Sequence, residues 1–347
     1  MMPIPRKILI IRRDNIGDLV CTTPAIEALR THFPNAEIGA LVNSYNAGVL
    51  YGNPHLDRVF VYQKLKHAGS SAGRFKALIQ RIGLIAQLRC WRPDTTILAK
   101  AGYDRHGLNL ARQIGAKNVI GFVPETLEML KSSPDVRLAT PGFAGCHEVE
   151  AVAQLLAPLG VTSAVGSLQV FPDARVVGQF ARCLPKAQTR IALHISAREP
   201  ERRWGANNFI ALIQHILQMY PDAQILLFWS PGKVDDPCHP GDDNAAAHLI
   251  SSVRSARLVP VPTQNLKELI AALSLCDLFI GTDGGAMHLA VGLNKKILAL
   301  FENQSDKLSH WYPWRVTNKI VCSQDPYDLT VGRISQAQVL GALASLL

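Results

Sequence analysis

The sequence predicts an α/β protein built from two doubly wound, Rossmann-like parallel sheets, and three observations predict it. Short apolar runs of strand length alternate with helix-like segments along the chain, the pattern of parallel βαβ units. The 347 residues suffice for two domains of roughly 150 residues each. The alternation breaks down over 160–188, around Pro172 and Pro185, and then resumes. The expected domains are 1–170 and 171–347.

In the first half, residues 7–12 read as a short buried strand. Residues 24–33 read as a helix, with Thr23 as N-cap and Pro24 at the first helical position, where a missing N–H does no harm. Strands follow at 37–42, 57–62, 94–99 and 119–123. Residues 124–145 loosen into Pro, Gly and Ser, and 148–159 read as one helix. In the second half, strands are expected at 190–195, 224–229, 256–259, 278–281 and 296–301, with helices at 209–219 and 266–275. Residues 334–347 read as a final helix, able to pack back on the N-terminal domain. Two such domains facing each other make a cleft, and doubly wound sheets bind ligands beyond the carboxyl ends of their strands.

Composition narrows the partners. With 48% apolar and 18% charged residues, each half can bury a core. No stretch approaches the roughly 20 apolar residues of a membrane span. The basic N-terminus leads into only a short apolar run ending in Arg12-Arg13-Asp14, which is not a signal peptide. Seven cysteines scattered singly, without a CxxC pair, suit a reducing cytoplasm. No metal-ligand spacing occurs, so no metal site is expected. The net charge of +9 favours a polyanionic partner: nucleic acid, anionic lipid or phosphorylated glycan. The absence of any nucleic-acid-binding motif speaks against the first. There is no Walker P-loop, GxGxxG or GxSxG, which disfavours an NTPase, a dinucleotide-dependent dehydrogenase and a hydrolase.

Three loops where a strand meets a helix carry chemistry. The first is Arg12-Arg13-Asp14-Asn15-Ile16-Gly17-Asp18. Asp18 stands near a helix start, either as a helix cap or as a base. A helix N-terminus stabilises its ionised form, so such a base accepts a proton late, as the donor bond breaks. The second is Gly281-Thr282-Asp283-Gly284-Gly285-Ala286-Met287-His288, where paired glycines at a helix start expose backbone N–H groups suited to phosphate. A tight turn with glycines for packing is the alternative. The third, from Ser196 through Arg198, Arg202 and Arg203 to Trp204, offers a hydroxyl and guanidinium groups for a diphosphate. Trp229 and Ser230 end the next strand, where a base or ribose would rest.

The acceptor side is less defined. Lys64, Lys66, His67 and Arg74 flank 68–73, and the following helix repeats apolar residues at Phe75, Leu78, Ile79, Ile82 and Ile85. Asn15, Lys100 and Arg105 lie in loops beyond strands of the same half. This set reads either as an anionic-glycolipid surface or as an ordinary domain helix with a solvated charged face.

Taken together, these phrases resemble the lipopolysaccharide heptosyltransferase family, glycosyltransferase family 9. The opening from Arg12 to Asp18 with Thr22-Thr23-Pro24-Ala25 carries the resemblance, as do the phrase from Gly281 to Ala290 and Trp311-Tyr312-Pro313. His147-Glu148-Val149-Glu150 and residues 155–161 are similar to its interdomain segment. The resemblance implies a GT-B fold with donor bound mostly by the second domain and acceptor by the first. It implies inverting, metal-independent transfer in the cytoplasm or peripherally at the cytoplasmic face of the inner membrane, from a nucleotide-diphosphate sugar such as ADP-heptose, with no cofactor. Asp18 matches the family base, Arg202 its phosphate-binding basic residue, Ser196 its hydroxylated residue, and Asp283 to His288 its diphosphate-binding phrase. The sequence departs from the family pattern at Arg202, usually lysine; at Gly284, usually threonine; and at Glu302-Asn303-Gln304, where Gly-Pro-Thr is common. Alternatives are a transferase of the same fold using a UDP- or GDP-sugar, or a non-catalytic nucleotide-sugar or glycan-binding protein.

Overall fold

A computed structural model describes residues 4–63, 71–122, 136–139, 145–162, 165–235 and 240–347. Lys64, Lys66 and His67 lie outside the described residues. The chain divides into two compact units, Met1–Ser167 and Leu168–Leu347.

The first unit holds β1 (Lys7–Ile11), α1 (Ile16–Val20), α2 (Thr23–His32), β2 (Glu37–Asn43), β3 (Arg58–Tyr62), α3 (Ser71–Trp91), β4 (Thr95–Leu98), α4 (Arg105–Gln113), β5 (Asn118–Phe122), β6 (Val136–Ala139) and α5 (Glu148–Gln154). Its six strands are parallel, in the order β3-β2-β1-β4-β5-β6. The central strands read as nearly continuous apolar runs because helices cover both faces: Ile8, Leu9, Ile10 and Ile11 are all buried. Leu9, Ile11, Phe60, Leu88, Trp91 and Leu98 share one core cluster, which docks the C-terminal half of α3 on the sheet. The strand order turns outward in both directions from β1 and β4, so the loops after these strands flank the switch point.

The second unit contains α6 (Ala174–Cys183), β7 (Thr189–His194), α7 (Ala206–Met219), β8 (Ala223–Phe228), α8 (Asp243–Ser252), β9 (Leu258–Pro260), α9 (Leu266–Ser274), β10 (Leu278–Thr282), α10 (Gly285–Gly292), β11 (Lys296–Phe301), α11 (Ser305–Trp311), β12 (Asn318–Cys322) and α12 (Gln336–Ala344). The parallel order is β12-β11-β10-β7-β8-β9, with its switch point between β7 and β10. Trp204 seals the core edge-on to Phe209, with its indole N–H donating to the Ile334 carbonyl at 2.9 Å.

Several expectations are corrected. The stretch read as irregular over 124–145 contains β6, a four-residue edge strand too short to announce itself. The irregular 160–188 contains α6, whose start is capped by Asp173 accepting from the Arg175 and Val176 N–H groups. Its flanking prolines bound the helix and do not interrupt it. The single helix expected over 148–159 ends at Gln154 and resumes as a 3₁₀ turn, Ala157–Leu159, because Pro158 has no N–H for a continuing ladder. α2 begins at Thr23 with Thr22 as its cap, one residue earlier than expected. The final helix is shorter than the expected 334–347, spanning Gln336–Ala344, and it buries Val339 and Leu343 in the second unit's core. No helix among the described residues is long and apolar enough to cross a membrane.

Candidate functional site

In the first unit the site is built around a buried guanidinium. Arg12 directly follows β1 and is 2% exposed. Its Nη2 donates to Asp18 Oδ1 at 2.6 Å, and its Nη1 lies 2.6 Å from Glu148 Oε1. Nη1 also donates to the Ala99 carbonyl at the end of β4, tying the two switch-point strands together. Asp14 Oδ2 stands 3.5 Å from Nε. Burial alone would lower the Arg12 pKa, but Glu148, Asp18 and Asp14 override it and hold the guanidinium protonated.

Asp18 does two jobs at once. Its Oδ2 accepts the Asn15 N–H at 3.0 Å, closing the first turn of α1, and its Oδ1 meets Arg12. The cap and the functional readings therefore describe the same carboxylate. Partial burial pushes its pKa up, yet the charge and hydrogen bond of Arg12 and the Asn15 contacts more than compensate, leaving it below the ordinary carboxylate value. Asp14, without those hydrogen bonds, is shifted upward by burial. Asn43 Nδ2 fixes the loop by donating to the Arg13 and Asp14 carbonyls.

Of the other candidates in this unit, Asn15 is the exposed cap of α1, Lys100 follows β4, and Arg105 opens α4. These three come from loops at the same sheet edge as Asp18. Arg74 belongs to α3, but its side chain lies outside the described residues. The solvent face of α3 is unexpected. Phe75, Leu78, Ile79 and Ile82 are 65%, 47%, 54% and 60% exposed. Arg81 and Arg89 are exposed as well, so α3 carries solvated charge and outward apolar side chains together.

In the second unit the loops after β7, β8, β10 and β11 meet at the switch point. Arg202 Nη1 lies 3.2 Å from Asp283 Oδ2, and its Nε donates to Glu302 Oε2 at 2.9 Å. Lys307 pairs with the same Glu302 carboxylate. Burial would raise the Glu302 pKa, but Lys307 and Arg202 hold it low. Ser196 Oγ accepts the Ser230 N–H at 2.8 Å, so this hydroxyl laces the β7 and β8 loops together. The Trp229 indole donates to Asp243 Oδ1 at 2.8 Å.

Gly284 caps α10 with extended backbone (φ 168°), a conformation open to any residue. Gly284, Gly285 and Ala286 remain partly exposed, whereas Met287 is buried. The first-turn N–H groups of a helix have no intrahelical acceptor, and the N-cap glycine of this one has no side chain to offer them. His288 is 2% exposed, with Nε2 3.8 Å from Asp283 Oδ1 and its ring edge-on to Trp311. The guanidinium of Arg202 and the open amides after Asp283 thus converge on one sheet edge.

The model of Glycosyltransferase family 9 (heptosyltransferase) matches residues 109–338. The chain belongs to glycosyltransferase family 9. A relative described as a putative glycosyltransferase, from Haemophilus influenzae, is 36% identical over 330 residues, covering 92% of this chain and 89% of that protein. Lipopolysaccharide heptosyltransferase 3 of Escherichia coli is 24% identical over 317 residues, covering 86% and 83%. The structure of the E. coli heptosyltransferase WaaC with ADP superposes with a TM-score of 0.76 at 16% identity, covering 98% of this chain and all of that one. This family-9 protein is therefore a glycosyltransferase with the α/β, GT-B class of fold expected from its sequence.

Sequence reading did not assign roles to Glu148, Tyr62 or Lys307. Glu148 stood inside a quoted motif. The signal that would have found it is Arg12 itself, since a guanidinium directly following a buried strand needs carboxylates.

Proposed function

We propose that the protein transfers a heptose from ADP-heptose to a lipopolysaccharide-core acceptor, with inversion and without a metal. The observation that carries this reading is Arg202 beside the open amides of Gly284, Gly285 and Ala286 at the second sheet's switch point. Guanidinium and aligned N–H dipoles match a leaving diphosphate, supplying the charge stabilisation that a metal provides elsewhere. The E. coli heptosyltransferase with ADP supports the adenine nucleotide, and the heptosyltransferase 3 relative supports the lipopolysaccharide acceptor.

In the proposed step, an acceptor hydroxyl oxygen attacks the anomeric carbon opposite the leaving group. The bond from that carbon to the diphosphate oxygen breaks, ADP departs with the bonding pair, and the hydroxyl proton passes to Asp18. Because Asp18 is a weak base held by Arg12, the proton moves late, when the attacking oxygen has become acidic. Asn15, Lys100 and Arg105 place polar and cationic groups on the acceptor side. The outward apolar row of α3 suits contact with the bilayer that carries a glycolipid, at the cytoplasmic face of the inner membrane.

The test supplies ADP-heptose, or UDP- and GDP-sugars in parallel, with heptose-deficient lipopolysaccharide in the presence of EDTA. One heptosyl unit gained by the acceptor from ADP-heptose alone, with inverted anomeric configuration by NMR, is the expected result. Transfer solely from a UDP- or GDP-sugar, or retained configuration, overturns it.

A further inference from the structure

A pocket of about 360 Å³ opens in the first unit where β2 and β3 end against the middle turns of α3. It sits at the low end of the range for small-molecule sites, about 300–1,000 Å³. The sheet side contributes Ser44, Tyr62 and Gln63; the helix contributes Gln80, Arg81 and Gln87. Val61 and Leu84 supply apolar wall between these groups. Gln80, Leu84 and Gln87 recur at i, i+4 and i+7, so they line one face of α3. The exposed apolar row, Phe75, Leu78, Ile79 and Ile82, follows the same spacing on the opposite face. One helix thus shows an amide-bearing side to the pocket and a greasy side to solvent.

The chemistry of the lining selects a ligand class. Each glutamine offers a carbonyl acceptor and two N–H donors, which match a hydroxyl that both donates and accepts. Gln80 and Gln87 are both exposed, so their amides can exchange water for a ligand hydroxyl. No acidic residue lines the pocket, and Arg81 adds a cation, so a neutral or anionic ligand is accepted. Tyr62, Val61 and Leu84 supply surface for C–H faces. Polyhydroxylated rings with apolar faces are sugars. No run of helix-start amides faces this space, which sets it apart from the diphosphate site.

Tyr62 links the pocket to the loop that carries Asp18. The Arg13 Nε donates to Tyr62 Oη at 3.0 Å, and its guanidinium lies 5.6 Å from the ring centroid. A saccharide in the pocket would therefore be registered against the β1–α1 loop by one residue pair.

We propose that this pocket binds one sugar unit of the acceptor glycan, set back from the hydroxyl that is glycosylated. The inference rests on the transferase reading above for the word acceptor, and on the lining for the word sugar. It makes Gln80 and Gln87 determinants of acceptor affinity.

The experiment uses the full chain and deacylated lipopolysaccharide-core oligosaccharide as probe, with saturation-transfer NMR for binding and acceptor KM and kcat for transfer. The Gln80→Ala/Gln87→Ala double variant should weaken oligosaccharide binding about tenfold and raise acceptor KM in proportion, from the loss of two neutral hydrogen bonds. Its kcat at saturating acceptor and its affinity for ADP should hold, which also shows that it is folded. Leu84→Trp, which adds bulk on the same face of α3 as Gln80 and Gln87, should reproduce the effect. Unchanged binding and KM in both variants overturns the proposal, as does failure of the wild-type protein to bind the oligosaccharide. Binding that responds to the variants while no sugar is transferred would instead sink the transferase reading and leave the pocket assigned.

Discussion

The Asp18 carboxylate stands 2.6 Å from the Arg12 guanidinium, and this contact dictates what kind of base Asp18 can be. It lies below the ordinary carboxylate pKa despite partial burial, so it is ionised throughout the physiological range. A carboxylate this well stabilised cannot deprotonate a free sugar hydroxyl in advance. Its use lies in receiving a proton from an oxygen already bonding to carbon. Asp18→Asn keeps the size and an oxygen for the Asn15 N–H, so the fold should hold while kcat falls by about 10²- to 10⁴-fold. ADP affinity, measured by calorimetry, should not change. Near-normal turnover would remove Asp18 from the role.

The same shift has a pH consequence. The folded-state pKa is lowered, so Asp18 contributes stability above its unfolded value of 3.8, and that contribution is lost as pH falls through the folded value. The acid limb that Asp18 imposes on kcat/KM should likewise fall below pH 3.8, leaving the profile flat with respect to this group above it. A limb near pH 6 assigned to Asp18 by its absence in the Asn variant would contradict the Arg12 pairing.

Arg12 and Glu148 predict an asymmetry. Both are 2% exposed, and Arg12 also serves Asp18 and Asp14. Arg12→Met strands buried carboxylates without a counter-charge, which costs about 3–5 kcal/mol. Glu148→Gln leaves the guanidinium with two other carboxylates, and the loss should be about 1–3 kcal/mol. Denaturant unfolding of the two variants checks the order. Equal losses would mean that the pairings are not shared as the geometry indicates.

Much of this was legible in the sequence. Residues 7–12 and 296–301 announced buried parallel strands because both faces are covered and the runs 8–11 and 297–301 are wholly apolar. The loop chemistry was legible because strand, turn and helix start are local. What escaped was set by tertiary contact. β6 and β12 pair at sheet edges, where short, partly polar strands carry weak signals. Glu148 lies 136 positions from Arg12, and no local pattern connects them. Lys307 reaches the diphosphate-binding candidates through Glu302.

Gly281 gives a stability prediction that separates packing from ligand binding. A Cβ built there would lie 2.9 Å from Phe279 Cζ and 3.0 Å from the His194 carbonyl oxygen. The aromatic ring can shift, but the β7 backbone cannot. Gly281→Ala should therefore cost about 1–3 kcal/mol, the range for overpacking a filled core, read as a lowered Tm. An unchanged Tm would show that β7 and β10 can spread.

Arg202 divides its contacts between Asp283 and Glu302, which only a forked side chain can do. Arg202→Ala should weaken ADP binding by about 10- to 100-fold, the equivalent of one charge-assisted hydrogen bond, and leave adenosine binding nearly unchanged. Arg202→Lys restores the charge but not the fork, so an intermediate affinity is expected. Calorimetry with ADP, AMP and adenosine provides the comparison. Equal loss for adenosine would mean that the variant disturbs the whole site and not the diphosphate alone.

The outward face of α3 sets the last prediction. Its 21 residues include Arg74, Lys76, Arg81 and Arg89 and no acidic residue, and its exposed apolar side chains lie one or two turns apart. Apolar insertion and anionic headgroups would then act together, each cation near the surface contributing about 1 kcal/mol. The protein should sediment with vesicles of phosphatidylglycerol and phosphatidylcholine, less with phosphatidylcholine alone, and less in high salt. Replacing Phe75, Ile79 and Ile82 with serine should abolish sedimentation while ADP affinity and Tm hold, because these side chains touch solvent and not the core. Vesicle binding that survives the triple replacement would assign the membrane contact elsewhere. A serine variant that instead converts a dimer to a monomer in light scattering would make this face a self-association surface.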